Sequence, residues 1–173
     1  MLWLATIGYE GATLDDFLAT LREAAITILI DVRQVPMSRR PGFSKVRLRA
    51  AVEAAGIRYV HLVALGDPKA GRDAARHGRI AEFRQIFSRH LRTAEAQADL
   101  QTAAGLAQQG GACLLCYERQ PEFCHRSIVA DALAHATGFD VRHLGVRGGL
   151  TNHDRNERPR ARAGARQSVT ACR

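Results

Sequence analysis

The sequence predicts an α/β fold, a single three-layer domain with a mostly parallel sheet of about five strands. Short apolar runs alternate along the chain with longer stretches whose apolar residues recur at helical spacing. Two of the runs, 27–32 and 112–116, are continuous and rich in aliphatic residues, as expected of strands covered on both faces. Strands that alternate with helices are typical of a parallel sheet.

The first half of the chain predicts three strands and two helices. Thr13, with an aspartate three positions later, predicts a helix N-cap, because its hydroxyl can accept a hydrogen bond from a free backbone N–H. After a loop that contains proline and glycine, Ser44 predicts a second N-cap, and its helix ends at Gly56. The strands of this half are predicted at 2–7, 27–32 and 57–63.

The second half begins with a basic segment, 65–79, which glycine and proline interrupt and which is therefore predicted to be a loop. Helical spacing and an apolar run then predict the remaining elements. These are helices at 80–93 and 95–109, a strand at 112–116, a helix that begins at Cys124 and a strand at 140–146.

The position of the positive charge predicts the domain organisation. The formal net charge is +8. Residues 147–173 hold seven arginines against Asp154 and Glu157, a net of +5, which leaves +3 for the preceding 146 residues. Since this stretch offers little to bury, we predict one α/β domain at 1–147 and a disordered basic tail at 148–173. Such a tail can contact nucleic acid, although a solvated tail in a chain with only two lysines explains the same charge.

Neither membrane insertion nor secretion is expected. No apolar run approaches the ~18 residues of a membrane helix, and the N-terminus lacks the charged start of a signal peptide. The four cysteines, Cys113, Cys116, Cys124 and Cys172, do not resemble a disulfide framework. We therefore expect reduced thiols and a cytoplasmic protein.

The cysteine spacing bears on metal binding, and the chain can also be compared with known cofactor motifs. The spacing Cys113-x-x-Cys116 before Cys124-His125 superficially suggests zinc. Because residues offset by three on a strand point to opposite faces, Cys113 and Cys116 are not expected to converge. The chain also lacks a Gly-x-Gly-x-x-Gly sequence, a P-loop and a His-Glu-x-x-His motif. The sequence therefore predicts no metal and no cofactor.

Polar residues gather at the carboxyl ends of the predicted strands. Tyr9 and Glu10 follow the first strand, Asp31 and Arg33 close the second, and Glu118 follows the fourth. In a parallel sheet these ends share one edge, and open α/β sheets bind ligands there. We therefore expect a shared crevice at this edge.

The turn after the fourth strand leads to Cys124, His125 and Arg126 at a helix start. Free N–H groups and a partial positive charge at that position suit a thiolate or an anion. Cys124 is the candidate nucleophile, and His125 and Glu118 are the candidate proton carriers. Each also has a plain alternative, since Cys124 can be a small buried residue and His125 an ordinary residue of the first turn.

Arginines are the candidate anion binders. Arg33 and Arg126 are predicted to hold an anionic group, because a planar guanidinium matches phosphate and carboxylate. The alternative is a structural pairing with Asp31 or Glu118. Further candidate substrate contacts are Tyr9, Glu10, Asp31, Arg39 and Lys69.

Two of these candidates lie on predicted loops. Arg39, with Arg40, flanks a proline-containing loop that could close over a ligand; a solvated surface pair is the alternative. Lys69 lies in the predicted loop 65–79, which could act as a lid.

A set of motifs runs through most of the chain. It consists of Thr6-Ile-Gly-Tyr-Glu-Gly11, Leu29-Ile-Asp-Val-Arg33 with Pro36 and Ser38-Arg39, Pro41-Gly-Phe-Ser-Lys45, Gly56-Ile-Arg-Tyr59 with His61-Leu62, Leu65-Gly66, and Cys116-Tyr-Glu-x-x-Pro-x-x-Cys-His-Arg126. In this order the motifs resemble the domain-of-unknown-function family 488. The resemblance covers about residues 4–146 and leaves out the basic tail.

The resemblance implies a small cytosolic α/β protein and no settled activity. It also implies one common site, made by Asp31, Arg33, Glu118, Cys124, His125 and Arg126. A segment that is richer in glycine in the family is replaced here by Gly66-Asp-Pro-Lys69, which weakens the expectation of a lid.

Two functions are compatible with these residues. The first is an enzyme, a possible Cys-dependent hydrolase or transferase, that acts on a phosphate-bearing or nucleic-acid-derived anion by hydrolysis or group transfer. The second is a non-catalytic module that binds a phosphorylated ligand or nucleic acid through the same arginines. The expected partner is thus an anionic small molecule or a nucleic acid, and substrate, reaction and oligomeric state stay open.

Overall fold

Five parallel strands form one sheet in the computed structural model, which describes residues 2–149. Their order across the sheet is third, second, fourth, first and fifth, and every neighbouring pair is parallel. The predicted α/β fold is confirmed. The tail predicted at 148–173 lies outside the described residues from position 150 onward. The strands are β1 Trp3–Gly8, β2 Ile28–Asp31, β3 Arg58–His61, β4 Ala112–Cys116 and β5 Asp140–Leu144.

Helices cover both faces of the sheet. Within the described residues they are α1 Leu14–Glu23, α2 Lys45–Ala54, α3 Lys69–Arg76, α4 Ile80–His90, α5 Ala94–Ala107 and α6 His125–Thr137. Buried apolar side chains of α1 and α2 form one core with one face of the sheet, and those of α3 to α6 form the other. None of these helices is both long and apolar enough to cross a membrane.

Capping residues explain where the helices begin. The Thr13 hydroxyl accepts a hydrogen bond from the backbone N–H of Asp16 at 3.1 Å, as the sequence predicts. Ser44 occupies the N-cap position before α2, but its side chain makes no capping hydrogen bond. Cys124 is the N-cap of α6 and has an extended backbone, with φ −122° and ψ 140°.

The predicted loop at 65–79 is wrong, because helix α3 occupies most of it. Proline and glycine mark the bounds of this helix: Pro68 is its N-cap, and Gly78, at φ 71°, follows its last turn. Gly71 lies inside α3 because a Cβ there would collide with the carboxylate of Asp67. Lys69 is consequently the first residue of a helix, and it does not lie on a lid loop.

The strands deliver their carboxyl ends to one edge of the sheet. In the register of β1 and β4, Gly8 pairs with Cys116, and in that of β2 and β4, Asp31 pairs with Leu115. A Cβ at Gly8 would collide with the backbone carbonyl of Glu118. The absence of a side chain at Gly8 therefore lets the turn after β4 pack directly against the end of β1.

Candidate functional site

A cavity of about 590 Å³ lies at the carboxyl edge of the sheet. Its wall includes the segment 34–41 and two arginines of α3, Arg72 and Arg76. The thiol of Cys116 and the imidazole of His125 also line it. The predicted crevice is therefore present, with cationic side chains on the wall and titratable groups next to the sheet.

Arg33 lines this cavity, but two of its guanidinium nitrogens donate hydrogen bonds to the carboxylate of Asp31. The two side chains form a buried pair, with Nε 2.9 Å from Oδ1 and Nη2 2.6 Å from Oδ2. Nη1 donates to the Tyr9 hydroxyl at 3.0 Å and to the Phe43 carbonyl at 2.8 Å. Four hydrogen bonds thus occupy a group that has five N–H donors. Of the two roles considered for Arg33, anion binding and a structural pairing with Asp31, the structure contains the pairing.

Asp31 is the fully buried centre of this network. The Tyr59 hydroxyl donates to its Oδ2 at 2.6 Å, and the backbone N–H of Arg33 donates to its Oδ1 at 3.0 Å. Burial lowers the pKa of Arg33, but the hydrogen bond and charge of Asp31 outweigh it and raise that pKa above its ordinary value. Burial and the negative charge of Asp31 raise the pKa of Tyr59. Arg33 therefore keeps its positive charge and the Tyr59 hydroxyl keeps its proton.

Arg126 is fully buried and does not line the cavity. Its guanidinium donates to the backbone carbonyls of Glu118 and Arg119 and, at 3.3 Å, to the Thr6 hydroxyl. These contacts hold the turn after β4 against the end of β1. The structure therefore brings Arg33 to the cavity and leaves Arg126 outside it. Anion binding by Arg126 stays a prediction that this position does not favour.

Cys116, Cys124 and His125 form a buried cluster beside the cavity. The two sulfur atoms and a ring nitrogen all lie within 4.8 Å of one another. A 3₁₀ turn, Pro121–Phe123, returns the chain from β4 to the start of α6. Alternation along β4 places Cys113 in the core on the α1 and α2 side, whereas Cys116 lies next to His125. Cys113 therefore does not join the cluster, as expected.

The orientation of His125 follows from one hydrogen bond. Its Nε2 lies 2.8 Å from the backbone carbonyl of Val32, which can only accept, so Nε2 carries a proton. Nδ1 lies 3.6 Å from Cys116 Sγ and thus faces the thiols. The end of β2 fixes the ring in this way.

The two thiols differ in acidity. Burial raises the pKa of Cys116, and the hydrogen bond and charge of Cys124 raise it further. Burial alone would raise the pKa of Cys124, but hydrogen bonds with Cys116 and His125 and the charge of His125 lower it well below the ordinary value. Burial lowers the pKa of His125, whereas contact with Cys124 outweighs that effect and raises it to about 9. These directions favour a negative charge on Cys124 and a proton on both His125 and Cys116.

Two carboxyl groups line the cavity beside the cluster, Glu118 and Asp67. Glu118 Oε2 lies 3.4 Å from Cys116 Sγ, and burial followed by the charge of Cys124 raises its pKa to about 7. Burial raises the pKa of Asp67 to about 6. Asp67 is 5% exposed, and its Oδ1 has no hydrogen-bond partner among the described residues. This edge of the sheet thus holds a buried hydrogen-bond acceptor, Asp67 Oδ1, without a donor among the described residues.

A family model described as "Domain of unknown function DUF488" matches residues 13–133. The chain belongs to this family. The match includes Arg33 and the whole cluster, and it confirms the resemblance seen in the motifs. No curated protein and no solved structure matches the chain.

The remaining predicted residues of this DUF488 domain divide between the cavity and its surroundings. Tyr9, Arg39, Glu118 and His125 line the cavity with Arg33. Asp31 and Cys124 lie behind the lining, and Cys124 is only 2% exposed. Glu10 lies elsewhere, where it accepts a hydrogen bond from the Arg119 N–H at 3.0 Å, and Lys69 is exposed outside the lining.

Sequence reasoning missed four charged or thiol-bearing residues that line the cavity of this DUF488 domain. They are Asp67, Arg72, Arg76 and Cys116. Arg72 and Arg76 are four positions apart on α3, so they share a helix face; the signal was hidden once this segment was predicted as a loop. Cys116 was named in the sequence but assigned no role, although alternation along β4 sets it on the side of α6.

Proposed function

We propose that this DUF488 domain is an enzyme that acts on an anionic substrate, phosphate-bearing or derived from nucleic acid, by hydrolysis or group transfer. One observation carries the proposal: a single cavity combines arginine side chains on its wall with buried acid, thiol and imidazole groups next to the sheet. A cavity of this kind binds an anion and holds groups that can transfer protons to it.

Anion binding rests on the arginines of the wall. Arg39 is exposed and makes no hydrogen bond or ion pair with the described residues, so its guanidinium is available to a ligand. Arg76 is 72% exposed and has a single ion pair, to Asp73 at 3.6 Å. Arg33 adds positive charge although its donors are largely used. We therefore assign first contact with the anion to Arg39 and Arg76.

Proton transfer rests on Glu118 and His125, which line the same cavity. Cys124 was the predicted nucleophile, but its thiol lies behind the lining, and Cys116 is the thiol that a ligand meets. In the proposal Cys124 acts as the buried anionic partner of His125. Because attack by water and attack by another acceptor use the same proton carriers, both reaction classes remain in the proposal.

Calorimetric titration of the full chain with inorganic phosphate and with a mononucleotide tests the anion site. Arg39→Ala combined with Arg76→Ala is expected to weaken binding at least about tenfold, since each charged hydrogen bond contributes roughly 1.5–3 kcal/mol. Arg58→Ala is the matched control, because Arg58 is an exposed arginine at the start of β3, on the opposite edge of the sheet. Equal affinities in all three proteins would contradict the proposal.

Turnover distinguishes the enzyme from the non-catalytic binding module. The near-complete burial of both thiols of the cluster favours the module. Incubation with phosphomonoesters, phosphodiesters and nucleotides, followed by mass spectrometry of the products, is expected to show conversion that Glu118→Gln abolishes while phosphate affinity persists. Phosphate affinity without conversion of any compound would support the module instead.

A further inference from the structure

We propose that Cys116, Cys124 and His125 form a zinc site with one coordination position open to the cavity. Two sulfur atoms and one imidazole nitrogen already lie within 4.8 Å of one another. The three side chains come from the end of β4 and the start of α6, two elements that the core holds rigidly together. The site does not depend on which anion the cavity binds, and in the zinc-bound protein His125 is a ligand, so that proton transfer falls to Glu118.

The distance between Cys116 Sγ and His125 Nδ1 fits tetrahedral coordination. Zinc binds thiolate sulfur at about 2.3 Å and imidazole nitrogen at about 2.0–2.1 Å, so a tetrahedral angle places the two ligand atoms about 3.6 Å apart. Cys116 Sγ and His125 Nδ1 are 3.6 Å apart. The distance suits one zinc ion bound to both atoms once the ring turns its Nδ1 lone pair toward the ion, since Nε2 lies 3.9 Å from the same sulfur.

The surroundings of His125 are those of a metal ligand. A histidine that binds zinc through one ring nitrogen generally donates the N–H of the other to a backbone carbonyl or a carboxylate. Here Nε2 donates to the Val32 carbonyl at 2.8 Å, which leaves Nδ1, 3.6 Å from Cys116 Sγ, as the ring nitrogen available to a metal. Coordination requires Nδ1 to release its proton, because a metal binds the neutral imidazole.

The charges around the cluster also favour a divalent cation. Two buried cysteines lie close to two carboxyl groups, the buried Asp67 and the half-buried Glu118. Glu118 Oε2 is 3.4 Å from Cys116 Sγ, and Asp67 Oδ1 has no partner in the part of the chain that the structure describes. A cation of charge +2 neutralises both thiolates and attracts both carboxylates.

The donor set indicates the metal and the kind of site. Two thiolates and one imidazole are soft and borderline ligands, which favour zinc over magnesium or calcium. Structural zinc sites have four protein ligands, whereas three protein ligands leave a position for water or substrate. Cys116 and His125 line the cavity while Cys124 lies behind it, so the fourth position faces the cavity.

The sequence prediction of no metal rests on a different pair of cysteines. It excluded Cys113 with Cys116, and the structure places Cys113 on the other face of the sheet. It did not consider that the turn after β4 returns Cys124 and His125 to Cys116. Two of the ligands are thus adjacent in sequence, a spacing that common zinc motifs do not contain.

Cobalt substitution in the metal-free full-length chain tests the proposal. We expect one Co²⁺ per chain, a thiolate-to-cobalt charge-transfer band in the near ultraviolet, and displacement of cobalt by zinc. Cys116→Ser and Cys124→Ser are each expected to weaken zinc binding by more than about 100-fold, beyond the loss produced by removing an outer-shell partner. Cys113→Ser is the matched control and is expected to bind as the wild type does, because Cys113 lies on the same strand and faces away.

A second measurement needs no variant. Zinc is expected to protect Cys116 and Cys124 from alkylation by iodoacetamide, and mass spectrometry of the labelled peptides locates the protection. The proposal is overturned if wild-type protein shows no charge-transfer band at one equivalent of cobalt, if the serine variants keep that band, or if zinc leaves the labelling of both thiols unchanged. Phosphate affinity, measured on the metal-free protein, separates this result from the outcome for the proposed function.

Discussion

Two buried polar clusters lie at the same edge of the sheet, and they differ in how completely their groups are paired. In the first, Asp31 and Arg33 form a two-point ion pair that Tyr9 and Tyr59 complete. The second, around Cys116, has sulfur contacts of 3.4–3.9 Å and a neighbouring carboxylate oxygen without a partner. The first cluster stabilises the fold, and the second has capacity left for a ligand.

Breaking the first cluster, that of Asp31 and Arg33, is expected to have the largest effect on stability. Asp31→Ala leaves the guanidinium of Arg33 buried without its charge partner, which costs about 3–5 kcal/mol in the free energy of unfolding. Urea denaturation measures the loss. Glu53→Ala is the control, since Glu53 pairs with Arg49 at 2.9 Å on an exposed face, and its loss should stay within about 1 kcal/mol. Similar losses in both variants would show that the buried pair has no special weight.

A smaller change to the same cluster sharpens the comparison. Tyr59→Phe removes the donor that lies 2.6 Å from Asp31 Oδ2 but keeps the ring. A hydrogen bond to a charged group contributes about 1.5–3 kcal/mol, so we expect a loss of stability in that range. Differential scanning calorimetry gives the value. A variant as stable as the wild type would indicate that water replaces the hydroxyl and that the cluster is less closed than its contacts imply.

A change at Asp67, beside the second cluster, is expected to have the smallest effect on stability, and it should raise stability instead of lowering it. The pKa of Asp67 is raised to about 6, chiefly by burial, so the folded protein holds this proton more tightly than the unfolded chain does. The contribution of Asp67 is therefore most favourable at low pH and declines as the pH rises through 6. In chelator-treated protein, Asp67→Asn should be more stable than the wild type above this pH, and the difference should shrink in acid.

Urea denaturation from pH 4.5 to pH 8 spans the raised pKa of Asp67 and therefore tests whether stability falls as the pH rises. Asp99→Asn is a useful comparison, because Asp99 Oδ2 accepts a hydrogen bond from the Ala64 N–H at 2.9 Å and is thus paired. If the stability difference for Asp67→Asn does not change with pH, the carboxyl group has its ordinary acidity and this part of the edge is not strained.

The fold was largely predictable because its strands are short apolar runs with clear ends. The run that became β4 and the N-cap Thr13 are examples in which local sequence and tertiary structure agree. Helix α3 was missed because Pro68 and Gly78 were interpreted as breaks within a loop, although they mark the two ends of the helix. Proline is compatible with a helix start, and only context distinguishes that position from a loop.

The site was predictable in location but only partly in composition. Parallel strands bring their carboxyl ends together, so Arg33 and Glu118 could be placed at one edge from the sequence. Which donors remain available could not be deduced: Arg126 turns to backbone carbonyls, and Cys116 meets His125, because of a turn whose path depends on packing. Those choices are made by tertiary contacts.

The close approach at Gly8 makes strand β1 a determinant of the Cys116 cluster, to which it contributes no side chain. Any side chain at this position would push the Glu118 carbonyl away, and the carboxyl group and Cys116 would then move apart. In relatives of this chain, the residue that ends the first strand should therefore vary together with the length or path of the turn that follows the fourth. A change at position 8, on the strand next to β4, is therefore a way to move the carboxyl group of Glu118.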